Sequence, residues 1–137
     1  MAITAGLTLT SGADDLVSDA LSLSVTTGLT KAGNSTALSL TSGLGRKKLA
    51  SGHAQYTLFD GDSYAEGAHK VYLKNMSSTA SEYFTIHLGD IEMGRLYAGD
   101  FAFFPWNADT GTDPDADVKI TPSVSTAITL EHMLINE

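Results

Sequence analysis

His53, His69, His87 and His132 are the side chains best suited to move a proton or hold a metal near neutral pH. None stands two or four residues from another, so the chain carries no local zinc pattern. His69 and His87 fall on strand-like runs with polar neighbours and read as surface residues. The chain has no cysteine, which removes both a thiol nucleophile and a disulfide framework. No G-x-S-x-G elbow, phosphate-binding loop or G-x-G-x-x-G turn is present. The densest set of hard oxygen donors is "DTGTDPDAD", where Asp109, Asp113, Asp115 and Asp117 crowd one loop and form the single calcium candidate. Val118 stands where an EF-hand loop needs Gly and Val124 where it needs Glu, so the plainer reading is a solvated acidic tip. These residues imply no catalytic constellation, no cofactor and no metal centre, and hence a protein that is not an enzyme.

Gly99-Asp100 followed five residues later by Pro105 matches the front half of the second cupin motif, a turn leading into a jelly-roll strand. The rest of that motif is missing. Asn107 replaces the later Gly, Thr110 replaces the metal-binding His, and no H-x-H precedes them. The structural part survives: a Gly-Asp turn, a strand, and a Pro where a ladder ends. Within "AGDFAFFPW", Phe101 and Phe103 share one face and Ala102 and Phe104 the other, which predicts a strand covered on both sides. Trp106, placed just past that strand, is the aromatic expected to meet another molecule. Together with Tyr97 and Tyr64 it would also supply a sugar-stacking face if the protein bound carbohydrate.

These residues must be held by strands. "HAQYTLF" (53–59), "HKVYLKN" (69–75), "EYFTIHLG" (82–89), "DFAFFPW" (100–106), "DVKIT" (117–121) and "TAITLEHMLI" (126–135) are strand-length runs divided by turn formers. In the last run Ile128, Leu130 and Leu134 face one way and Met133 and Ile135 the other, so that strand is expected to be covered on both sides. The only helical candidate is "ADDLVSDAL" (13–21). Many short strands at 8 to 15 residue spacing predict an all-β protein, an antiparallel β-sandwich of jelly-roll or Ig-like type.

All eleven aromatic residues lie at Tyr56 or later. Before them, "LTLTSG" (7–12), "LSLSVTTG" (21–28) and "LSLTSG" (38–43) alternate Leu with Ser or Thr and close on Gly. Such strands bury little area of their own, so residues 1–52 are expected to form an extended N-terminal arm or hairpin packed on the core or on a neighbouring subunit. Residues 53–137 then form the sandwich core. Leu7, Leu9, Leu21 and Leu23 are the expected interface residues of the arm. The bridging "GLGRKKLASG" (43–52) reads as an exposed loop or hinge whose Arg46, Lys47 and Lys48 could contact an acidic neighbour.

With 137 residues the chain has the size of one domain. Its net charge of −8 opposes nucleic-acid binding, which needs clustered Lys and Arg. Residues 1–48 carry +1 and the remainder −9, so copies could attract one another. No run approaches the ~18 apolar residues of a membrane span, and the start has no signal-peptide pattern, so a soluble, cytoplasmically made product is expected.

"LTLTSGADDLVSDALSLSVTTGLT", "AHKVYLKNMSSTASEYFTIHLGD" and "LYAGDFAFFPWNADTGTDPDADVKITPSVSTAITLEHMLI" together resemble the small β-sandwich virion proteins of tailed bacteriophages, particularly those of marine phages and cyanophages. Val71 to Asn75, Leu96 to Pro105 and Thr129 to Met133 fill the places of that family's strand motifs. His132 departs from its usual aromatic. The resemblance implies a structural virion protein of the capsid decoration or cement class. Its partners would be the major capsid protein and further copies of itself, for example in a trimer. A tail, neck or fibre location fits the same resemblance.

Overall fold

A computed structural model of the chain describes residues 2–12, 20–108 and 116–137. Most of the helical candidate at 13–21, and Asp109, Asp113 and Asp115 of the acidic loop, lie outside the described residues. The described chain is all-β and divides into two compact units, Met1–Ser39 and Leu40–Glu137.

In the first unit, β1 (Thr4–Thr10) and β2 (Ser22–Gly28) form a two-stranded antiparallel sheet. Their register runs without a bulge from Thr4 opposite Gly28 to Thr10 opposite Ser22. Because side chains alternate along a strand, this pairing sorts the sequence by face. Leu7 stands opposite Val25 and Leu9 opposite Leu23. Ser and Thr occupy the other face. Beyond β2, the Leu29 N–H donates to the Ile3 carbonyl at 2.9 Å, the Leu38 N–H to Leu29 at 2.8 Å and the Ile3 N–H to Leu38 at 3.1 Å.

The second unit holds two antiparallel sheets. The four-stranded sheet has the order β5 (Tyr56–Phe59), β10 (Val118–Pro122), β7 (Tyr83–Leu88), β8 (Ile91–Tyr97). In the five-stranded sheet, β11 (Ile128–Asn136) pairs with β6 (His69–Asn75), and β6 with β9 (Phe101–Trp106). The other edge of β11 is shared by β4 (Gly45–Leu49) and the two-residue β3 (Leu40–Thr41). Alternate residues of both sheets meet in one core: Val71 and Leu73 of β6, Leu130 and Leu134 of β11, Phe84 and Ile86 of β7, Val118 and Ile120 of β10. Two antiparallel sheets with a common core are compatible with a β-sandwich.

Asn75 ties the two sheets at one end. Its side-chain amide donates to the carbonyls of Leu96 (3.0 Å) and Glu82 (3.2 Å), and its Oδ1 accepts the Ser77 N–H at 2.9 Å. The turn from β8 to β9 closes on the same residue, with the Asn75 N–H donating to Asp100 and the Gly99 N–H to Asn75, each at 3.0 Å. Gly99 takes φ +82° there, a conformation that disfavours a side chain.

Several expectations change. The core was expected to start at residue 53, yet β3 and β4 pair with β11 and Leu49 belongs to the core cluster, so the compact unit begins at Leu40. The "GRKKL" segment is thus a strand, its charged side chains exposed and its Leu buried. Trp106 does not lie beyond the strand. Because β9 is a sheet edge, Pro105 is tolerated within it, and Trp106 pairs with His69, faces the core and is 3% exposed. His69 and His87, read as surface residues, are buried. Phe101 and Phe103, expected to be covered, are 62% and 43% exposed.

Candidate interaction surface

The aliphatic face of the hairpin is the first candidate. Leu7, Leu9, Leu21 and Leu23, expected as interface residues from their alternation, are all exposed, as is Val25. Between residues 2 and 12 and between 20 and 30 there is no charged side chain. Among the described residues each strand of the hairpin has one unpaired edge, and neither strand carries the Lys, Pro or bulge that ordinarily protects such an edge.

The second candidate was missed in the sequence. Strands β8 and β9 end their respective sheets and are joined by the Gly99 turn. Between them runs a groove of about 540 Å³ lined by Met93, Arg95, Leu96, Phe101, Phe103 and Phe104, among others. The register of β7 with β8 passes from Gly94 opposite Ile86 to Glu92 opposite His87, which leaves Met93 without an opposing residue. Met93 and the neighbouring Ile91 are exposed, as are Phe101 and Phe103 on the other strand. The period-two placement of Phe101 and Phe103 was visible in sequence. The strand "IEMGRLY" that faces them was not, because its bulge breaks the alternation.

The basic strand β4 is partly committed within the chain. Arg46 Nη2 lies 3.0 Å from Glu131 Oε2, and its Nε donates to the same oxygen at 3.0 Å. The Tyr72 hydroxyl donates to the other carboxylate oxygen of Glu131 at 3.3 Å. Burial, followed by the Glu131 charge and this hydrogen bond, raises the Tyr72 pKa above the ordinary tyrosine value. Lys47 Nζ sits 5.0 Å from the Tyr56 ring centre, a cation–π contact. Lys48 is exposed and opposite Thr129.

The aromatic residues separate by role. Trp106 Nε1 donates to the Ala116 carbonyl at 2.6 Å, and its ring packs against Phe59, Tyr64 and His69. His69 is fully engaged: one ring nitrogen meets the Ala65 carbonyl at 2.7 Å, and the other accepts the Glu137 N–H at 3.2 Å. Both groups are structural. Tyr97, by contrast, is exposed and lies 5.0 Å from the Tyr83 ring, with the Arg95 guanidinium 4.8 Å from the Tyr83 centre. The Tyr97 hydrogen bond and the Tyr83 charge raise the Arg95 pKa. Asp117 is the one member of the acidic set among the described residues. Its carboxylate accepts the Gly61 N–H at 2.7 Å and lies 3.9 Å from Lys119 Nζ. Among the described residues no group of three His, Asp or Glu side chains is placed to hold a metal ion.

No protein-family model, no curated protein and no solved structure matches this chain.

Proposed function

We propose that this chain is a non-enzymatic structural protein of a tailed-phage virion, a capsid decoration or cement protein that binds the outer shell through the major capsid protein and through copies of itself. The observation that carries the reading is the hairpin, whose two paired strands have no charged side chain, whose Leu and Val side chains are exposed on one face, and whose outer strand edges are unpaired among the described residues. A two-stranded hairpin is marginal on its own. One built this way is suited to contacts with neighbours, where main-chain hydrogen bonds and apolar burial act together. The phage-like strand motifs support the same role, and Asn75, the last residue of "VYLKN", has a structural task in it. In this reading the two sheets are a jelly-roll or Ig-like sandwich and residues 1–39 are its extended arm.

The test is cosedimentation of the purified chain with expanded capsids of the phage that encodes it, followed by imaging of the particle. Saturable binding at a fixed number of copies per capsid is expected. No binding, or density at the tail alone, would replace the capsid assignment with a tail, neck or fibre location. The exposed Tyr97, packed on the half-buried Tyr83 beside Arg95, favours a second reading, a glycan-binding sandwich for host attachment. A glycan array separates the two, since a cement protein would leave it blank.

A further inference from the structure

The hairpin and the groove are apolar patches of matched size on different units of one chain. On the hairpin, Leu7, Leu9, Leu21, Leu23 and Val25 are each 41–51% exposed, which leaves roughly 400 Å² of apolar surface. Along the groove, Met93, Phe101 and Phe103, with Ile91 beside it on β8, are 43–67% exposed and leave roughly 400 Å² more. Each is as large as the biggest patch on an ordinary monomer, which is often a binding surface.

Their patterns also correspond. Leu7 and Leu9 are two residues apart on one strand, and so are Phe101 and Phe103, which sets both rows at a repeat of ~6.8 Å. Aliphatic side chains on one row can seat between aromatic rings on the other. The two paired strands of the hairpin bring no charge that would have to be stripped of water; Asp14, Asp15 and Asp19 belong to the segment that connects them. The two charged residues in the groove wall are already engaged: Arg95 lies over Tyr83 and 3.7 Å from Glu92, and the Asp100 carboxylate accepts the Tyr97 N–H at 3.0 Å.

From these features we infer that the aliphatic face of the hairpin in one copy docks on the β8–β9 groove of a second copy of the same chain. Buried area does not separate this from hairpin-to-hairpin packing. Both bury about 800 Å² of apolar side chain, toward the ~1,200 Å² at which specific interfaces begin. Only the head-to-tail contact also removes Phe101 and Phe103 from water. Each copy carries one hairpin and one groove, so the contact is heterologous: it gives a closed ring where the rotation between copies closes and an open chain where it does not. The inference goes beyond capsid binding and is measured with no capsid present, so either can fail alone.

The experiment is sedimentation velocity on the full chain from about 5 µM to about 200 µM, a range that spans weak to moderate association. A hairpin variant, Leu9→Asp with Leu23→Asp, and a groove variant, Phe103→Asp, should each sediment as monomers while the native chain forms oligomers. Mixing the two variants should restore association as a dimer, because the intact groove of one accepts the intact hairpin of the other. Circular dichroism melts report whether each variant keeps its fold. Because the chain lacks cysteine, mixing Leu9→Cys and Phe103→Cys chains under mild oxidation gives a second readout that leaves the patches nearly native. The mixed disulfide dimer should outnumber both homodimers. A native chain that stays monomeric throughout, as it would if the hairpin covered its own groove, overturns the proposal. So does self-association of the groove variant alone, which would mean hairpin-to-hairpin packing, or a variant mixture that stays monomeric with no excess of mixed disulfide.

Discussion

His132 places an imidazole where the sheet has little use for its charge. Its Nδ1 is buried without a hydrogen-bond partner, its ring meets Phe59 edge-on at 5.9 Å, and a Cβ on the opposing Gly45 would come within 2.7 Å of its Cε1. Burial first, and the Lys47 charge second, lower its pKa below the ordinary histidine value. The unfolded chain therefore takes up this proton at a higher pH than the folded one does. Stability is unaffected above about pH 6.5 and falls as pH drops below it, through the interval between the unfolded and folded pKa values. The melting temperature of the native chain should fall more between about pH 7.5 and about pH 5.5 than that of His132→Leu. Equal slopes in a calorimetric pH series would exclude His132 as the source. Gly45→Ala should destabilise by about 1–3 kcal/mol in urea unfolding, as overpacking does, because the ring packed on Phe59 must shift to admit the methyl group. The Arg46–Glu131 pair gives the opposite case. Arg46 is mostly exposed, so the pair itself contributes little, but Arg46→Met leaves a largely buried carboxylate held by Tyr72 alone. A loss of about 1–2 kcal/mol in urea unfolding is expected, and the double variant Arg46→Met with Glu131→Gln should recover much of it.

At the scale of elements, alternation decided what could be read in advance. "HKVYLKN" was legible to the residue because every second side chain is buried between the sheets. The hairpin strands were legible for the same reason, although the face their pattern defines is exposed. "GRKKL" and "IEMGRLY" were not legible as strands. The first carries three successive charges at a sheet edge, and the second skips Met93 in its register. The groove could not be foreseen, since it depends on two strands of different sheets ending on the same side. Trp106 was misplaced because a proline was read as the end of pairing, whereas an edge strand has a free side that needs no donor. The most consequential single residue is Asn75, whose amide and backbone join β6 to the ends of β7 and β8 and to the Gly99 turn. Asn75→Leu is nearly isosteric yet takes the side-chain partner from the buried Leu96 carbonyl and from the part-buried Glu82 carbonyl and Ser77 N–H. It should cost about 2–4 kcal/mol and lower the urea midpoint accordingly.

For the whole molecule, the division at Ser39 separates two kinds of stability. All fourteen residues of the core cluster lie between Leu49 and Leu134, so residues 40–137 contain that core complete. Residues 1–39 contribute none of it and present a hairpin whose aliphatic face is exposed. A chain beginning at Leu40 is therefore expected to unfold in one cooperative transition, with the near-ultraviolet dichroism of the native protein, since every aromatic residue is retained. A peptide of residues 1–39 should show no hairpin signal in water, because two strands with nothing against their apolar face do not order themselves. Loss of cooperative unfolding in the 40–137 chain would mean that the hairpin is structural, and the assignment of residues 1–39 to contacts between molecules would fail with it. If the shortened chain folds, the same sample tests function: it should no longer cosediment with capsids at the concentration where the native chain saturates them. Retained capsid binding would move the contact to the second unit, where β4 and the β8–β9 groove are the remaining exposed candidates.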